Sequence, residues 1–258
     1  MWHSNESSLI RTYTSTSTDS GKTWGEVKDI TDQVYGGVYG EGTRHGLFTG
    51  SGSGVQLKHG KHAGRIMLVV AARNDASWGG TLSNYAVYSD DGGQSWQVSK
   101  NAACVDGDEA KVVELANGNV LMSIRNRAKG HRLFSVSTDG GETWSEPKLN
   151  ETILDPACNG DIVAYTYKGK NLLLHSLPAS PTTREKVTVY VSEDNGETWM
   201  PKRCIYPGYS AYSSLQVLDD GTIGIIVEEG KWDGNLPGDD GFNLGYYRFN
   251  LPWLMAGV

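Results

Sequence analysis

Along several short stretches the chain alternates apolar and polar residues, and the clearest of these stretches run into the same turn. Thr12-Tyr-Thr-Ser-Thr-Ser17 alternates like a half-exposed strand, while Tyr85-Ala-Val-Tyr88, Leu133-Phe-Ser-Val136 and Val187-Thr-Val-Tyr-Val191 carry the β-branched and aromatic residues that suit strands. The turns that follow are Ser17-Thr-Asp19-Ser-Gly21-Lys-Thr23-Trp24, Ser89-Asp-Asp91-Gly-Gly93-Gln-Ser95-Trp96, Ser137-Thr-Asp139-Gly-Gly141-Glu-Thr143-Trp144 and Ser192-Glu-Asp194-Asn-Gly196-Glu-Thr198-Trp199. In such a turn an Asp carboxylate can accept from backbone N–H groups further on, Gly takes a positive φ without strain, and hydroxyls brace the loop. The terminal Trp offers a large ring to a neighbouring sheet. The starts at 17, 89, 137 and 192 differ by 72, 48 and 55 residues, which suits one four-stranded unit per repeat with one longer insertion. The turns define a fold, not a chemistry.

Between the turns, the pattern predicts more hairpins. Arg65-Ile-Met-Leu-Val-Val-Ala71 reads as a buried strand; Lys111–Leu115 and Val120–Ile124 flank an Asn117-Gly118 turn, and Leu215–Leu218 and Thr222–Val227 flank Asp220-Gly221. Asp161–Tyr167 and Leu172–His175 supply another pair. Residues 31 to 62 are Gly-rich, with Phe48-Thr-Gly50-Ser-Gly52-Ser-Gly54-Val-Gln-Leu57 leading into a strand; this stretch lacks the Gly-Lys-Ser/Thr ending of a phosphate loop. No amphipathic helix is expected. The economical architecture is an all-β propeller forming one domain over 1–258, with the chain starting in the middle of a repeat unit.

Composition narrows the possibilities. The 258 residues suffice for one large all-β domain, and no stretch approaches the ~20 apolar residues of a membrane helix. A formal net charge of -7 argues against a general nucleic-acid binder. Cys104, Cys158 and Cys204 lack metal-ligand spacing and are read as isolated thiols. No metal or cofactor is expected. The first residues lack a basic region followed by an apolar run, and the sequons Asn5-Glu-Ser7 and Asn150-Glu-Thr152 do not locate the protein.

A propeller gathers its functional residues at one face from similar positions of successive blades. Glu109 precedes the first strand of the Asn-Gly hairpin and Arg125 ends its second, 16 residues later; Arg184 stands 8 residues before Ser192, and Tyr212 precedes the Asp-Gly hairpin. Glu109 and Tyr212, 103 residues apart, thus occupy equivalent places in two hairpins. Duller roles stand beside these: a packed strand-end Tyr, an Arg184–Glu185 pair, and a solvated acidic loop of Asp106, Asp108 and Glu109.

With these residues in order, the chain resembles the sialidase (neuraminidase) superfamily, whose Asp box is the repeated turn. The resemblance covers nearly the whole chain and includes Phe48–Leu57, Glu109-Ala-Lys-Val-Val-Glu-Leu-Ala-Asn-Gly118, Ser123-Ile-Arg125-Asn126, Asp155-Pro-Ala-Cys-Asn-Gly160, Arg184 before its box, and Ala211-Tyr-Ser-Ser-Leu215 followed by Asp220-Gly-Thr-Ile-Gly224. It implies a six-bladed sialidase-type propeller, here incomplete, and an exo-α-sialidase acting on sialylated glycans with retention. It implies Tyr212 as nucleophile, Glu109 as the base that activates it, Arg125 and Arg184 as two of three arginines holding the substrate carboxylate, and Glu228 as a residue that orients an arginine. Tyr212 Oη should then lie within hydrogen-bond reach of Glu109, and Arg125 and Arg184 should be held by an anion or by Glu228.

The family pattern opens with a further arginine and an aspartate that serves as general acid/base. Arg11 and Arg44, the only arginines before Arg65, do not stand in that opening motif. The chain is therefore expected to be a sialidase-type catalytic domain that is truncated or whose first blade is supplied elsewhere, with low activity on its own, and secreted, periplasmic or cell-surface if that segment carries an export signal. The alternative function is a non-catalytic sialic-acid-binding Asp-box propeller.

Overall fold

A computed structural model describes residues 10–77, 79–231 and 241–256. The Asn5–Ser7 sequon lies outside them. In chain order the elements are β1 (Tyr13–Thr14), β2 (Lys28–Asp29), α1 (Thr31–Tyr39), β3 (Leu47–Thr49), β4 (Val55–Gln56), β5 (Ile66–Arg73), β6 (Leu82–Ser89), β7 (Gln97–Val98), β8 (Cys104–Gly107), β9 (Ala110–Glu114), β10 (Val120–Ile124) and β11 (Gly130–Ser137). They continue with β12 (Lys148–Asp155), β13 (Asp161–Tyr167), β14 (Lys170–Pro178), β15 (Glu185–Ser192), β16 (Met200–Val217), β17 (Ile223–Glu229), β18 (Asn243–Phe249) and α2 (Leu251–Met255).

The strands form successive antiparallel sheets. β1 pairs with β2; β3 and β4 pair with β5, which pairs with β6 and through it with β7 and β8; β9 to β12 pair in sequence order. β13 to β18 form a six-stranded sheet, because the 18-residue β16 belongs to two units. Its first half pairs with β15 and its second half, from Ser210, pairs with β17. These are the blades of an incomplete β-propeller, as the repeat predicts. The inner strands β4, β9, β13 and β16 surround an axial cavity of about 620 Å³.

Apolar layers between the blades form the core. Met67, Val69, Tyr88, Val112, Met122, Ile124 and Trp144 fill one layer, Val113, Leu121, Phe134, Ile153, Leu177 and Trp199 the next, and Leu174, Val189, Leu215, Ile225 and Val227 a third. Trp144 and Trp199 thus pack toward the preceding blade. Trp96, Trp144 and Trp199 are 8%, 6% and 2% exposed, but Trp24 is 65% exposed. The expectation that every box buries its ring fails at the first box. The reason is that β1–β2 is a bare two-stranded ribbon, and none of the described core layers includes Trp24.

The expectation of no amphipathic helix is also corrected. In α1, Thr31, Val34 and Tyr35 form a buried i, i+3, i+4 stripe that packs with Trp96, Val70 and Val87. The Gln33 side-chain carbonyl accepts from Trp96 N at 2.7 Å, much as the Asn101 side-chain carbonyl accepts from Trp144 N at 3.0 Å. Gly36 and Gly37 hide the helix in the sequence because Gly is a poor helix former. A Cβ on Gly37 would lie 2.4 Å from Val98 Cγ2, so the close approach of α1 to β7 requires glycine there.

Candidate active site

Strand direction places the candidate residues together. Within a blade the first two strands are joined at one end, the second and third at the other, and the third and fourth again at the first. Glu109 stands just before β9, Arg125 just after β10, Arg184 just before β15, Tyr212 early in the inner half of β16 and Glu228 near the end of β17. All five therefore lie at the end of the blades opposite the Asp-box turns.

The Asp boxes are built as the sequence suggests. In the third, Ser137 Oγ donates to Asp139 Oδ1 at 2.8 Å, Gly141 N donates to Ser137 Oγ at 2.7 Å, and Thr143 N and Oγ1 donate to the two Asp139 oxygens at 2.9 and 2.6 Å. The same four bonds recur around Asp19, Asp91 and Asp194. Bonds from the neighbouring hydroxyls and backbone hold these carboxyls below their usual range, Asp19 at about 2.

Tyr212 owes its place to a bulge. Ser210 pairs with Glu229 and Ser213 with Val227, so Ala211 and Tyr212 together face Glu228. Glu228 Oε2 accepts the Tyr212 backbone N–H at 3.1 Å and forms no ion pair with an arginine among the described residues. It supports the bulged backbone under Tyr212.

The phenol reaches across to the other hairpin. Tyr212 Oη donates to Glu109 Oε2 at 2.9 Å, and Arg125 Nη1 donates to the same carboxylate oxygen at 2.5 Å while lying 3.3 Å from Tyr212 Oη. Arg125 N also donates to the Glu109 carbonyl at 2.9 Å. The buried Asp108 lies 3.7 Å from Arg125 Nε, and burial pushes its carboxyl above the usual range. Glu109 and Asp108 are therefore acidic partners of Arg125, not a solvated loop, and Arg125 is not held by Glu228. Burial works against the Arg125 charge, but the Asp108 and Glu109 carboxylates outweigh it and raise its pKa further.

Arg184 completes the group. Its guanidinium carbon lies 5.7 Å from the centre of the Tyr212 ring, and Nη2 donates to the Ala157 carbonyl at 2.9 Å. It forms no ion pair among the described residues; Glu185 pairs instead with Lys186 at 3.3 Å. Two arginines thus flank one phenol, and among the described residues Arg184 has no acidic partner. Burial, then the Glu109 charge and hydrogen bond, push the Tyr212 hydroxyl well above its ordinary range, with Arg125 opposing. A free phenolate at Tyr212 is therefore disfavoured, and the hydroxyl keeps its proton on the hydrogen bond to Glu109.

Sequence reasoning quoted Asp155 only as the start of a matching stretch and gave it no role; it lies at the end of β12 and is fully buried with Arg132. It also left Asp108 as a surface acid; the only signal available was an Asp directly beside Glu109. Arg11 pairs with Asp29 and Arg44 with Asp32, so neither joins the site. Among the described residues no group of His, Cys, Asp and Glu is arranged to hold a metal ion, and no helix is long and apolar enough to cross a membrane.

The fold and site together define an Asp-box β-propeller with a tyrosine, a glutamate and two arginines at one face. A family model for the BNR repeat-like domain matches residues 2–225. The sialidase of Micromonospora viridifaciens is 35% identical over 254 residues, which is 95% of this chain and 36% of that protein; a sialidase of Bacteroides fragilis is 29% identical over 82% of this chain and 38% of its own length. Among solved structures, the intramolecular trans-sialidase from Ruminococcus gnavus superposes with a TM-score of 0.75 at 25% identity, covering 95% of this chain and 51% of that one. A Hadza microbial sialidase gives 0.73 at 27% identity, covering 84% and 41%. The chain belongs to the sialidase superfamily and spans a little over a third of the length of these two curated relatives.

Proposed function

We propose that this chain carries the nucleophile, base and two carboxylate-binding arginines of an exo-sialidase that releases terminal sialic acid from glycoconjugates with retention. The observation that carries this reading is the shared contact of Tyr212 Oη and Arg125 Nη1 with one Glu109 oxygen, at 2.9 and 2.5 Å, beneath the Arg184 guanidinium.

Sialic acid bears a carboxylate on its anomeric carbon. An anionic nucleophile would be repelled by it, whereas a neutral phenol is not. Arg125 and Arg184 would hold the carboxylate by charge-assisted hydrogen bonds. Tyr212 Oη would attack the anomeric carbon as its proton passes to Glu109 Oε2 and the glycosidic oxygen departs, taking a proton from a general acid or from water. Water would then cleave the glycosyl-tyrosine bond, giving its proton to that same acid–base group or to solvent, while Glu109 returns the proton to the phenol oxygen.

The test combines turnover and binding. Release of a reporter group from a sialic-acid glycoside should fall by ~10²-fold or more in Tyr212→Phe and in Glu109→Gln, the range for losing an acid–base step. Sialic-acid affinity should stay within a few-fold of the parent in Tyr212→Phe, because the arginines are untouched. Equal turnover by parent and Tyr212→Phe would contradict the mechanism. Binding without turnover in the parent would favour a sialic-acid-binding propeller instead.

A further inference from the structure

Both arginines of the site are referenced to one buried carboxylate. Asp155 Oδ2 accepts from Asn126 N at 3.0 Å, the residue directly after Arg125, and from Arg132 Nη1 at 3.0 Å. Asp155 Oδ1 accepts from Cys158 N at 2.9 Å, and Arg132 Nη1 also donates to the Cys158 carbonyl at 2.7 Å. The turn closed in this way holds Ala157 at a φ of 60°, and the Ala157 carbonyl accepts from Arg184 Nη2 at 2.9 Å. Asp155 and Arg132 are both 0% exposed, so water cannot substitute for either partner.

A second buried contact fixes Arg132 from behind. Arg132 Nε donates to Ser123 Oγ at 2.9 Å, and Ser123 Oγ lies 2.7 Å from His175 Nε2. Ser123 stands on β10, two residues before Arg125. The path from Arg125 to Arg184 therefore runs through Asn126 N, the Asp155 carboxylate, the Cys158 amide and the Ala157 carbonyl. Each link is a hydrogen bond to backbone or a buried charge, and such bonds resist displacement more than exposed ones.

We propose that Asp155 is a positioning residue that sets the spacing of Arg125 and Arg184, and so the preference of the site for a carboxylate, by pinning the 155–160 turn against the end of β10. The proposal rests on the reading of these arginines as the substrate-carboxylate clamp. Asp155 touches no substrate; it acts through the Ala157 carbonyl and the Asn126 backbone. Arginine forks bind a carboxylate well only in a defined geometry, and supporting hydrogen bonds maintain such geometry. Ala157 is a further part of the device, since a side-chain-bearing residue in the left-handed region has fewer alternatives than glycine there.

The experiment compares the affinity of the whole chain for sialic acid with that for its carboxylate methyl ester, by titration at a temperature far below melting. The parent should prefer the acid, and Arg184→Ala should lose that preference. Asp155→Asn, nearly isosteric but uncharged, should reduce the acid-to-ester ratio by about tenfold, the scale seen when supporting contacts of binding residues are removed. Ala157→Gly, which keeps the positive φ accessible and folds without hindrance, should reduce the ratio in the same direction while its melting temperature stays at or near that of the parent. A merely structural role would weaken acid and ester alike and leave the ratio unchanged. No acid preference in the parent, or its survival in Arg184→Ala, would overturn the reading of the arginines and the inference with it. Loss of preference in Arg184→Ala with an unchanged ratio in Ala157→Gly and in any folded Asp155→Asn would overturn the inference alone.

Discussion

Tyr212 Oη and Glu109 Oε2 stand 2.9 Å apart although 103 residues separate them in the chain. The contact exists because Glu109 stands just before β9 and Tyr212 early in the inner half of β16, at the same end of two blades that have one blade between them. A propeller brings such positions together whatever their distance in sequence.

The first prediction concerns the box tryptophans. Trp144→Ala should cost ~3–5 kcal/mol of stability, the range for deleting a buried aromatic ring, while Trp24→Ala should change it by no more than ~0.5 kcal/mol, as a surface substitution does. Chemical denaturation of both variants is the check. Similar losses in the two would mean that Trp24 packs against something in solution.

The Asp boxes add a dependence on acid. The Asp139 carboxyl is held below its ordinary value of 3.8 by its bonds to Thr143 and Ser137, which outweigh the opposing effect of burial. A carboxylate with a depressed folded pKa stabilises the fold above the unfolded value, and the contribution disappears as pH falls through the folded value. Asp139→Ala should therefore lose ~1–2 kcal/mol at neutral pH, a cost set by the lost hydrogen bonds, and the gap to the parent should narrow below pH ~4. Melting curves between pH 3 and 7 test this, and a constant gap would count against it.

These boxes were legible in the sequence because every bond in them is local. The site was half legible. Glu109, Arg125, Arg184 and Tyr212 sit at strand ends that the hairpin pattern marks, and the structure brings them together. The bulge that pairs Ala211 and Tyr212 with Glu228 could not be read, because register across β16 and β17 is a tertiary property. The role of Asp155 was hidden for a similar reason: its partners are Asn126 just beyond β10, Arg132 on β11 and Cys158 in its own turn. Helix α1 was obscured by Gly36-Gly37, of which Gly37 is required by the close packing against Val98 of β7.

His175 makes the fold sensitive to mild acid. It is fully buried beside Phe134 and Trp199, and burial, with the Arg132 charge, pushes its pKa well below the ordinary value of 6.5. The unfolded chain takes up a proton below pH ~6.5 that folded His175 refuses, so the unfolded state binds more protons and stability falls as pH drops below that value. The slope from this one group is at most about 1.4 kcal/mol per pH unit. His175→Gln should be less stable at pH 7 but should lose less stability between pH 6.5 and 5. Identical slopes in parent and variant would remove His175 as their source.

The most direct test of the central claim is covalent trapping of Tyr212. A sialic acid with fluoride on the anomeric carbon and a second fluorine on the adjacent ring carbon suits this chain, because fluoride leaves without a proton and so needs no general acid. The second fluorine destabilises the oxocarbenium-like transition state and slows hydrolysis of the adduct. Mass spectrometry should show one sialyl group added to the intact chain and located on the peptide containing Tyr212, with no adduct in Tyr212→Phe and labelling slowed by ~10²-fold or more in Glu109→Gln. An adduct on another residue, or equal labelling of Tyr212→Phe, would contradict the assignment of Tyr212 as nucleophile.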